Sequence, residues 1–217
     1  MKPGGGLLNW LYPSKCLCCR RILEEPGDFC SACRRDLPLC GTERKGDFFE
    51  RCVSAVVYTG DIRRTILRYK FYHRTAYAGG LGRLTANRIR KDLTGSFDLI
   101  TWVPISSLRK LRRGYDQTRL MGETVSRELG LPLLRTLKKI RHNKPQSGMS
   151  SASARRANVM NVYAPYHPEQ YRGKRVLLLD DVVTTGSTLS EAARILRTAG
   201  AKSVVCATIA SAEKGKP

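Results

Sequence analysis

The chain changes its hydrophobic period near residue 52. Beyond that point, short runs of aliphatic residues alternate with longer segments whose apolar positions recur every three or four residues. This is the pattern of strands alternating with helices. Residues 53–58 read as a strand, 61–71 as a basic amphipathic helix capped by Asp61, and 76–93 as a second helix. Residues 97–103 form the next predicted strand, 115–129 a helix closed by Gly130, and 132–137 a short strand. Val176, Leu177, Leu178 and Leu179 lie between Arg175 and Asp180 and fit a parallel strand buried on both faces. After them Leu189, Ala192, Ala193 and Leu196 stand at helical spacing, and residues 203–209 form a last apolar strand. The alternation predicts an α/β fold with a mainly parallel sheet, helices on both faces, and ligands at the strand C-termini. One connection, 138–174, carries no regular pattern, and connections of that length are uncommon unless functional.

The first fifty residues break the pattern. They hold six of the eight cysteines, many loop formers and no long periodic segment. Residues 1–50 are therefore expected as a small module ahead of a main domain at 51–217. Cys16-x2-Cys19 is followed by Cys30-x2-Cys33. Two such knuckles supply four thiolates in a tetrahedron, the closed geometry of structural zinc, and give the segment a core it otherwise lacks. Cys18 offers an alternative thiol to Cys19, although two-residue spacing favours Cys16 with Cys19. Cys40 and Cys52 have no such partners and read as free thiols or relics of a second ribbon, and Cys206 reads as a small buried hydrophobe.

With 41% apolar residues in 217, the chain has ample material for a core. No apolar run approaches the ~18–20 residues of a membrane span, and residues 7–12 are too short and interrupted for a signal-peptide core. The expected location is the cytoplasm, where cysteines serve metal binding or burial rather than a disulfide framework. Charge adds a second theme. Thirty-nine Lys and Arg against 18 Asp and Glu give +21, and residues 105–175 alone carry 16 basic and 4 acidic side chains. Such a surface attracts polyanions, whether nucleic acid or a phosphorylated small molecule.

The chemistry concentrates where the strand at 176–179 ends. Asp180 and Asp181 are followed by Val182, Val183, Thr184, Thr185, Gly186, Ser187 and Thr188. Hydroxyls and a permissive glycine at a helix N-terminus make a phosphate cradle, because free backbone N–H groups and the helix dipole favour an anion there. One step earlier, the two carboxylates are placed to accept hydrogen bonds from two ribose hydroxyls or to reach magnesium through water. This order of parts resembles the phosphoribosyl pyrophosphate (PRPP) signature of type I phosphoribosyltransferases. A second anion site is then expected in the loop after residues 97–103. Backbone N–H groups beyond Pro104, at Ile105 and after, face the diphosphate there, and Arg109, Lys110, Arg112 and Arg113 neutralise charge that grows as it leaves. The long connection, with Gln146 and Arg155, suits a lid that excludes water from an oxocarbenium-like transition state. His73, His142 and His167 are isolated, and no general base stands out.

Across nearly its whole length the chain resembles the ComF family, also called the GntX or competence-protein-F group. The resemblance rests on Leu8-Asn-Trp-Leu-Tyr-Pro13, the two CxxC pairs, Tyr58 leading into a basic helix ending Leu67-Arg-Tyr-Lys-Phe71, and Val103-Pro104. It continues through Arg113-Gly-Tyr-Asp-Gln117, Gln146-Ser-Gly, the run from Arg155 to Asn158-Val159, and Asp180-Asp181. The resemblance implies a zinc ribbon fused to a phosphoribosyltransferase domain that binds PRPP with magnesium. It further implies an acceptor that is a nucleobase, nucleotide or nucleic acid, and a link to single-stranded DNA and competence-machinery partners in natural transformation. The rival reading is a non-catalytic module that binds single-stranded nucleic acid and keeps PRPP binding as a sensor or vestige. The chain departs from the family pattern in three places. Tyr115-Asp116 replaces Phe-Asn, adding an acid beside the expected diphosphate, the Gln146–Arg155 spacing is one residue longer, and the second ribbon is reduced to Cys40 and Cys52.

Overall fold

The computed structural model describes residues 13–93, 95, 97–141 and 160–212. The chain opens with the cysteine knuckles and a short helix α1 (Ser31–Arg35), then β1 (Glu43–Arg44) and β2 (Cys52–Val57). Helices α2 (Gly60–Phe71) and α3 (Tyr77–Asp92) lead to β3 (Leu99–Trp102), followed by α4 (Ser107–Arg113) and α5 (Gln117–Leu129). Next come β4 (Leu137–Lys139), β5 (Tyr163–Pro165), β6 (Arg175–Val183), α6 (Ser187–Thr198) and β7 (Ser203–Ser211).

The main sheet runs β1-β2-β7-β6-β3. Only β1 is antiparallel; β2, β7, β6 and β3 are parallel. β6 is paired on both sides and, at Val176 to Leu179, is fully buried. Successive residues of a strand face opposite ways, and β6 divides accordingly. Leu177 and Leu179 join a core with Ile62, Ile66, Leu81 and Met121 of α2, α3 and α5, whereas Val176 and Leu178 join a second core with Leu189, Ala192 and Leu196 of α6. Truncating either kind of position, for example Leu179→Ala, carries the usual cost of about 2–5 kcal/mol. At the strand start, Arg175 meets Asp98 at 3.0 Å and its N–H donates to the same carboxylate at 2.7 Å, fixing the register of β6 beside β3.

The observed elements follow the predicted pattern, with local corrections. The helix expected to be capped by Asp61 is capped by the extended backbone of Thr59, and Asp61 sits inside the first turn paired with Arg64. The helix expected from Tyr115 begins at Gln117, because the Asp116 side chain caps it by accepting the Arg119 N–H at 3.2 Å. Residues read as a loop after β3 contain helix α4, capped by Ser106 Oγ. The strand expected at 132–137 appears as a single parallel bridge from Leu133 to Ile100. Leu137 instead opens β4, which pairs antiparallel with β5 inside the connection read as irregular. No helix among the described residues is long and apolar enough to cross a membrane.

Candidate functional site

The C-terminal edge of the parallel sheet gathers the chemistry. β6 delivers Asp180 and Asp181, and Val182 and Val183 finish the strand. Thr184 and Thr185 lie exposed in the turn, Gly186 takes the left-handed conformation at φ 79°, and Ser187 starts α6. Thr185 Oγ1 and Ser187 Oγ are hydrogen-bonded at 2.8 Å, which closes the turn around the helix N-terminus. The first N–H groups of a helix have no partner in its own ladder, so this turn presents donors to an anion. Arg44 of β1 braces it, donating to Thr184 O at 2.7 Å and to Ser211 Oγ at 3.1 Å.

The two acids point to opposite faces of the sheet, as the alternation of β6 requires. Asp181 lies on the α2/α5 side. Its Oδ1 accepts from Lys70 Nζ at 2.8 Å and from Val182 N at 2.6 Å, and its Oδ2 accepts from Gln117 Nε2 at 2.9 Å. Burial works against its charge, yet the Lys70 ammonium and these donors hold the carboxyl below its usual range. Asp180 lies on the α6 side and accepts from Asp181 N at 2.8 Å. Burial and the neighbouring Asp181 charge push its carboxyl up. One acid is thus fixed as an anion and the other favours a proton, an arrangement typical of sites that hold charge for a ligand.

Around Asp180 lies a second set of residues, which sequence reasoning missed. Lys139 of β4 pairs in register with Tyr163 of β5 and sets its ammonium 5.4 Å from the Tyr163 ring centre. Burial, reinforced by the Arg109 charge and partly offset by Asp180, brings Lys139 down to about 8. Tyr163 packs with Val103, Val183 and Leu189, so the small sheet covers the end of β6. Lys139 and Tyr163 carried no sequence signal because they fall in a stretch without periodicity. Lys70 and Gln117 stood in quoted motifs, but nothing in their spacing announced a meeting at Asp181.

Helix α4 sorts the basic residues of the expected diphosphate loop. Arg109 and Arg113 stand one turn apart and are half-buried, whereas Lys110 and Arg112 are exposed. Arg113 stacks over the Phe71 ring at 4.7 Å, and burial lowers its guanidinium against the opposing pull of Asp181. Pro104 is buried. The Ile105 N–H, expected to face a diphosphate, is donated to Asp116 Oδ2 at 3.3 Å. Asp116 also accepts from Trp102 Nε1 at 3.2 Å and is buried. It is therefore occupied inside the fold as a cap and loop brace, not as an acid facing the anion. Among the described residues, the N–H groups of Ser106 and Ser107 follow Ile105 in this turn. Gln146, His142 and Arg155 lie outside the described residues; His73 and His167 are exposed.

The cysteines meet at a separate point. The sulfurs of Cys16, Cys19, Cys30 and Cys33 all lie within 4.8 Å of one another, and Cys19 and Cys30 are 3.8 Å apart. A tetrahedron with Zn–S bonds of about 2.3 Å has edges of about 3.8 Å, so the cage fits zinc. Burial raises the Cys16 thiol, but backbone N–H groups of Cys30, Cys19 and Cys18 outweigh it and bring it down to about 6, whereas burial and the neighbouring sulfurs push the Cys33 thiol up, so the four sulfurs share their protons and the fit to zinc rests on their geometry. Cys18 is excluded from the cage and packs into the main core. Cys40 lies against Thr42, and Cys52 pairs in register with Cys206. All three of these are buried, and no second metal-holding group occurs among the described residues.

Comparison with known proteins adds two domain matches. Residues 118–217 match the phosphoribosyl transferase domain and residues 7–52 the double zinc ribbon domain. Competence protein F of Haemophilus influenzae is 29% identical, the alignment covering 88% of this chain and 93% of the relative. The DNA utilization protein YhgH of Salmonella typhimurium is 31% identical, with 87% and 86% covered, and competence protein ComFC of Bacillus subtilis is 24% identical, with 83% and 77% covered. Among solved structures, the allosteric regulatory enzyme of purine biosynthesis aligns at a TM-score of 0.44 and 21% identity over 66% of this chain, which spans 30% of that one.

Proposed function

The chain belongs to the ComF family of competence and DNA-utilization proteins, and from that premise we propose that it is a PRPP-binding enzyme of the phosphoribosyltransferase type. The observation that supports this reading is the continuity of the acid pair on β6 with the left-handed Gly186 turn and the start of α6, at the C-terminal edge of a parallel sheet. Val182 to Thr188 hold the 5′-phosphate at that helix N-terminus. Asp180 and Asp181 accept the ribose hydroxyls. Gln117 Oε1, buried and without a partner among the described residues, is a further acceptor beside Asp181. The turn from Pro104 to Ser107 and the guanidinium groups of Arg109 and Arg113 receive the pyrophosphate, with Lys139 adding a cation on the Asp180 side.

Carboxylate and phosphate oxygens are the ligands magnesium prefers, and the ion keeps several waters of its own, so Asp180 suits Mg·PRPP. When bound, magnesium neutralises diphosphate charge. The chain's own residues orient the ribose and stabilise the leaving group, which is where most of the rate in such a transfer arises. The deciding experiment is pyrophosphate release from PRPP across a panel of nucleobases, nucleotides and single-stranded DNA. Release with none of them, despite PRPP binding, overturns the enzyme reading.

A second reading, a single-stranded nucleic-acid-binding module that keeps PRPP as a sensor, is favoured by one surface feature. Arg20, Arg64, Leu67, Arg68, Tyr72 and Arg74 line a concavity of about 360 Å³. Tyr72 is 67% exposed and Phe71, under Arg113, is 56% exposed. Aromatic faces among arginines suit unstacked bases on a phosphate backbone.

A further inference from the structure

Helix α2 touches both the cysteine cage and the acid pair. On one side it grips the two residues between Cys16 and Cys19. The buried Thr65 hydroxyl donates to Leu17 O at 2.8 Å and to Asp61 O in its own helix at 3.0 Å, and Arg68 Nη1 donates to Cys18 O at 3.2 Å. The knuckle is pressed close: the Leu17 side chain lies 2.4 Å from where a Cβ on Gly80 of α3 would stand, and the Asp28 carboxylate lies 2.7 Å from it. Asp28 is in turn held by Arg83, whose Nε donates at 2.8 Å. At its other end α2 governs both oxygens of Asp181. Lys70 donates to Oδ1 directly. The buried Tyr69 donates through its hydroxyl to Gln117 O at 2.5 Å, and Gln117 donates to Oδ2.

We propose that α2 is a strut that couples zinc in the Cys16, Cys19, Cys30 and Cys33 cage to Mg·PRPP at the acid pair, with Thr65 and Arg68 as positioning residues. The proposal rests on the phosphoribosyl reading above for the identity of the second ligand. Its physical basis is the short path. With the cage filled, the ends of the Leu17–Cys18 segment are fixed, and their carbonyls keep Thr65 and Arg68 in place. With the cage empty, backbone bonds remain to hold the knuckle, such as Cys16 N to Arg21 O at 2.8 Å and Leu17 N to Asp28 O at 2.9 Å. Once the Leu17 and Cys18 carbonyls are free to move, Thr65 falls back on Asp61 O in its own helix and Arg68 loses its acceptor, so the tie between α2 and the knuckle loosens and α2 is free to shift where Lys70 and Tyr69 leave it. Coupling of this kind is reciprocal and typically amounts to about 5–150-fold in affinity.

Full-length, zinc-loaded protein provides the test. A chelator with a colour indicator measures zinc release with and without Mg·PRPP, and calorimetry measures PRPP affinity. Mg·PRPP should slow zinc release by about tenfold in the native protein. A Thr65→Val, Arg68→Met double variant should bind PRPP about tenfold more weakly and release zinc at a rate indifferent to it. Equal slowing in both proteins, or undiminished PRPP affinity in the double variant, overturns the strut. PRPP also binds metal in solution, so an Asp180→Asn, Asp181→Asn protein serves as reference, and slowing of the same size there overturns the coupling too. Hydrogen exchange without PRPP separates the two claims. Protection of residues 62–71 that falls when zinc is stripped supports the strut, and protection that does not change overturns it. If zinc-loaded protein binds no Mg·PRPP, the phosphoribosyl reading fails and exchange alone decides the strut.

Discussion

Lys70 and Asp181, 111 residues apart in the chain, form an ion pair at 2.8 Å whose side chains are only 17% and 11% exposed. Removing one partner of a buried pair costs about 3–5 kcal/mol. Gln117 and the Val182 N–H still serve Asp181, so Lys70→Met should lose about 3 kcal/mol of unfolding free energy in urea. A loss under about 1 kcal/mol, the scale of an exposed pair, would mean that water already screens the pair.

Asp180 gives a stability signature of opposite sign to its neighbour. Burial and the Asp181 charge raise its carboxyl, so between about pH 4, the ordinary value, and the raised native value, the folded state holds a proton that the unfolded chain has lost. Stability therefore falls as pH rises through that window. Asp181, held low by Lys70 against burial, contributes stability that is present above the ordinary value and lost as pH falls through its native one. Asp180→Asn should accordingly be more stable than the native protein at pH 8 and no different near pH 4, while losing PRPP affinity. Urea curves at both pH values check this; an Asn variant weaker at pH 8 contradicts it.

Much of this site was legible because strand and turn signals are local. The run ending at Asp180-Asp181, Gly186 and the helix after it form a continuous segment, and local pattern carries such segments well. The two CxxC pairs are equally local, and their two-residue spacing already favoured Cys19 over Cys18, the choice the geometry makes. What stayed hidden was long-range. Lys70 meets Asp181 because α2 crosses beneath the end of β6, Lys139 reaches the Asp180 side because β4 folds over it, and Arg44 braces Thr184 from across the sheet. Asp116 shows the reverse error. A charge beside basic residues suggested a ligand-facing acid, whereas the capping role of Asp at a helix start claimed it, and that signal was present in its position before Gln117.

The cage makes a sharp distinction among neighbouring thiols. Zinc analysis of purified protein should give one equivalent, lost in Cys30→Ser and retained in Cys18→Ser, since Cys18 lies in the apolar core. Because binding energy at a structural zinc is folding energy, Cys30→Ser should also unfold at lower temperature. Loss of zinc from Cys18→Ser with retention in Cys30→Ser would reverse the ligand assignment.

Lys139 supplies a pH effect on binding that can be isolated. Burial first, then the Arg109 charge, brings it down to about 8, so its positive charge is present at pH 7 and lost as pH rises through that value. An arginine in its place stays charged. Between pH 7 and 9 the native protein should lose Mg·PRPP affinity relative to Lys139→Arg, and Lys139→Met should be weak throughout. The ratio of native to Lys139→Arg affinity cancels the titration of Asp180, which both proteins share. A ratio constant across the range would remove Lys139 from the ligand site.

Nucleic-acid binding, if it occurs, should distinguish two basic surfaces. The concavity lined by Arg20, Arg64, Arg68, Tyr72 and Arg74 runs along α2, while Arg113 lies within the field of Asp181 and Arg109 within that of Lys139. Affinity for a short single strand should fall with salt at a log–log slope of about −0.7 for each phosphate neutralised. Replacing Arg20 and Arg74 by Ala should reduce that slope by about 1.4 and leave Mg·PRPP affinity intact. Tyr72→Ala should cost about 1–3 kcal/mol if a base stacks there, with little change in slope. Arg109→Ala with Arg113→Ala should weaken PRPP, and should weaken DNA only if the strand continues past Phe71 into the site. Competition between Mg·PRPP and DNA then identifies the strand end as the acceptor's position. DNA binding that ignores PRPP and both arginine pairs would place the contact on neither surface and defeat the α2-concavity reading.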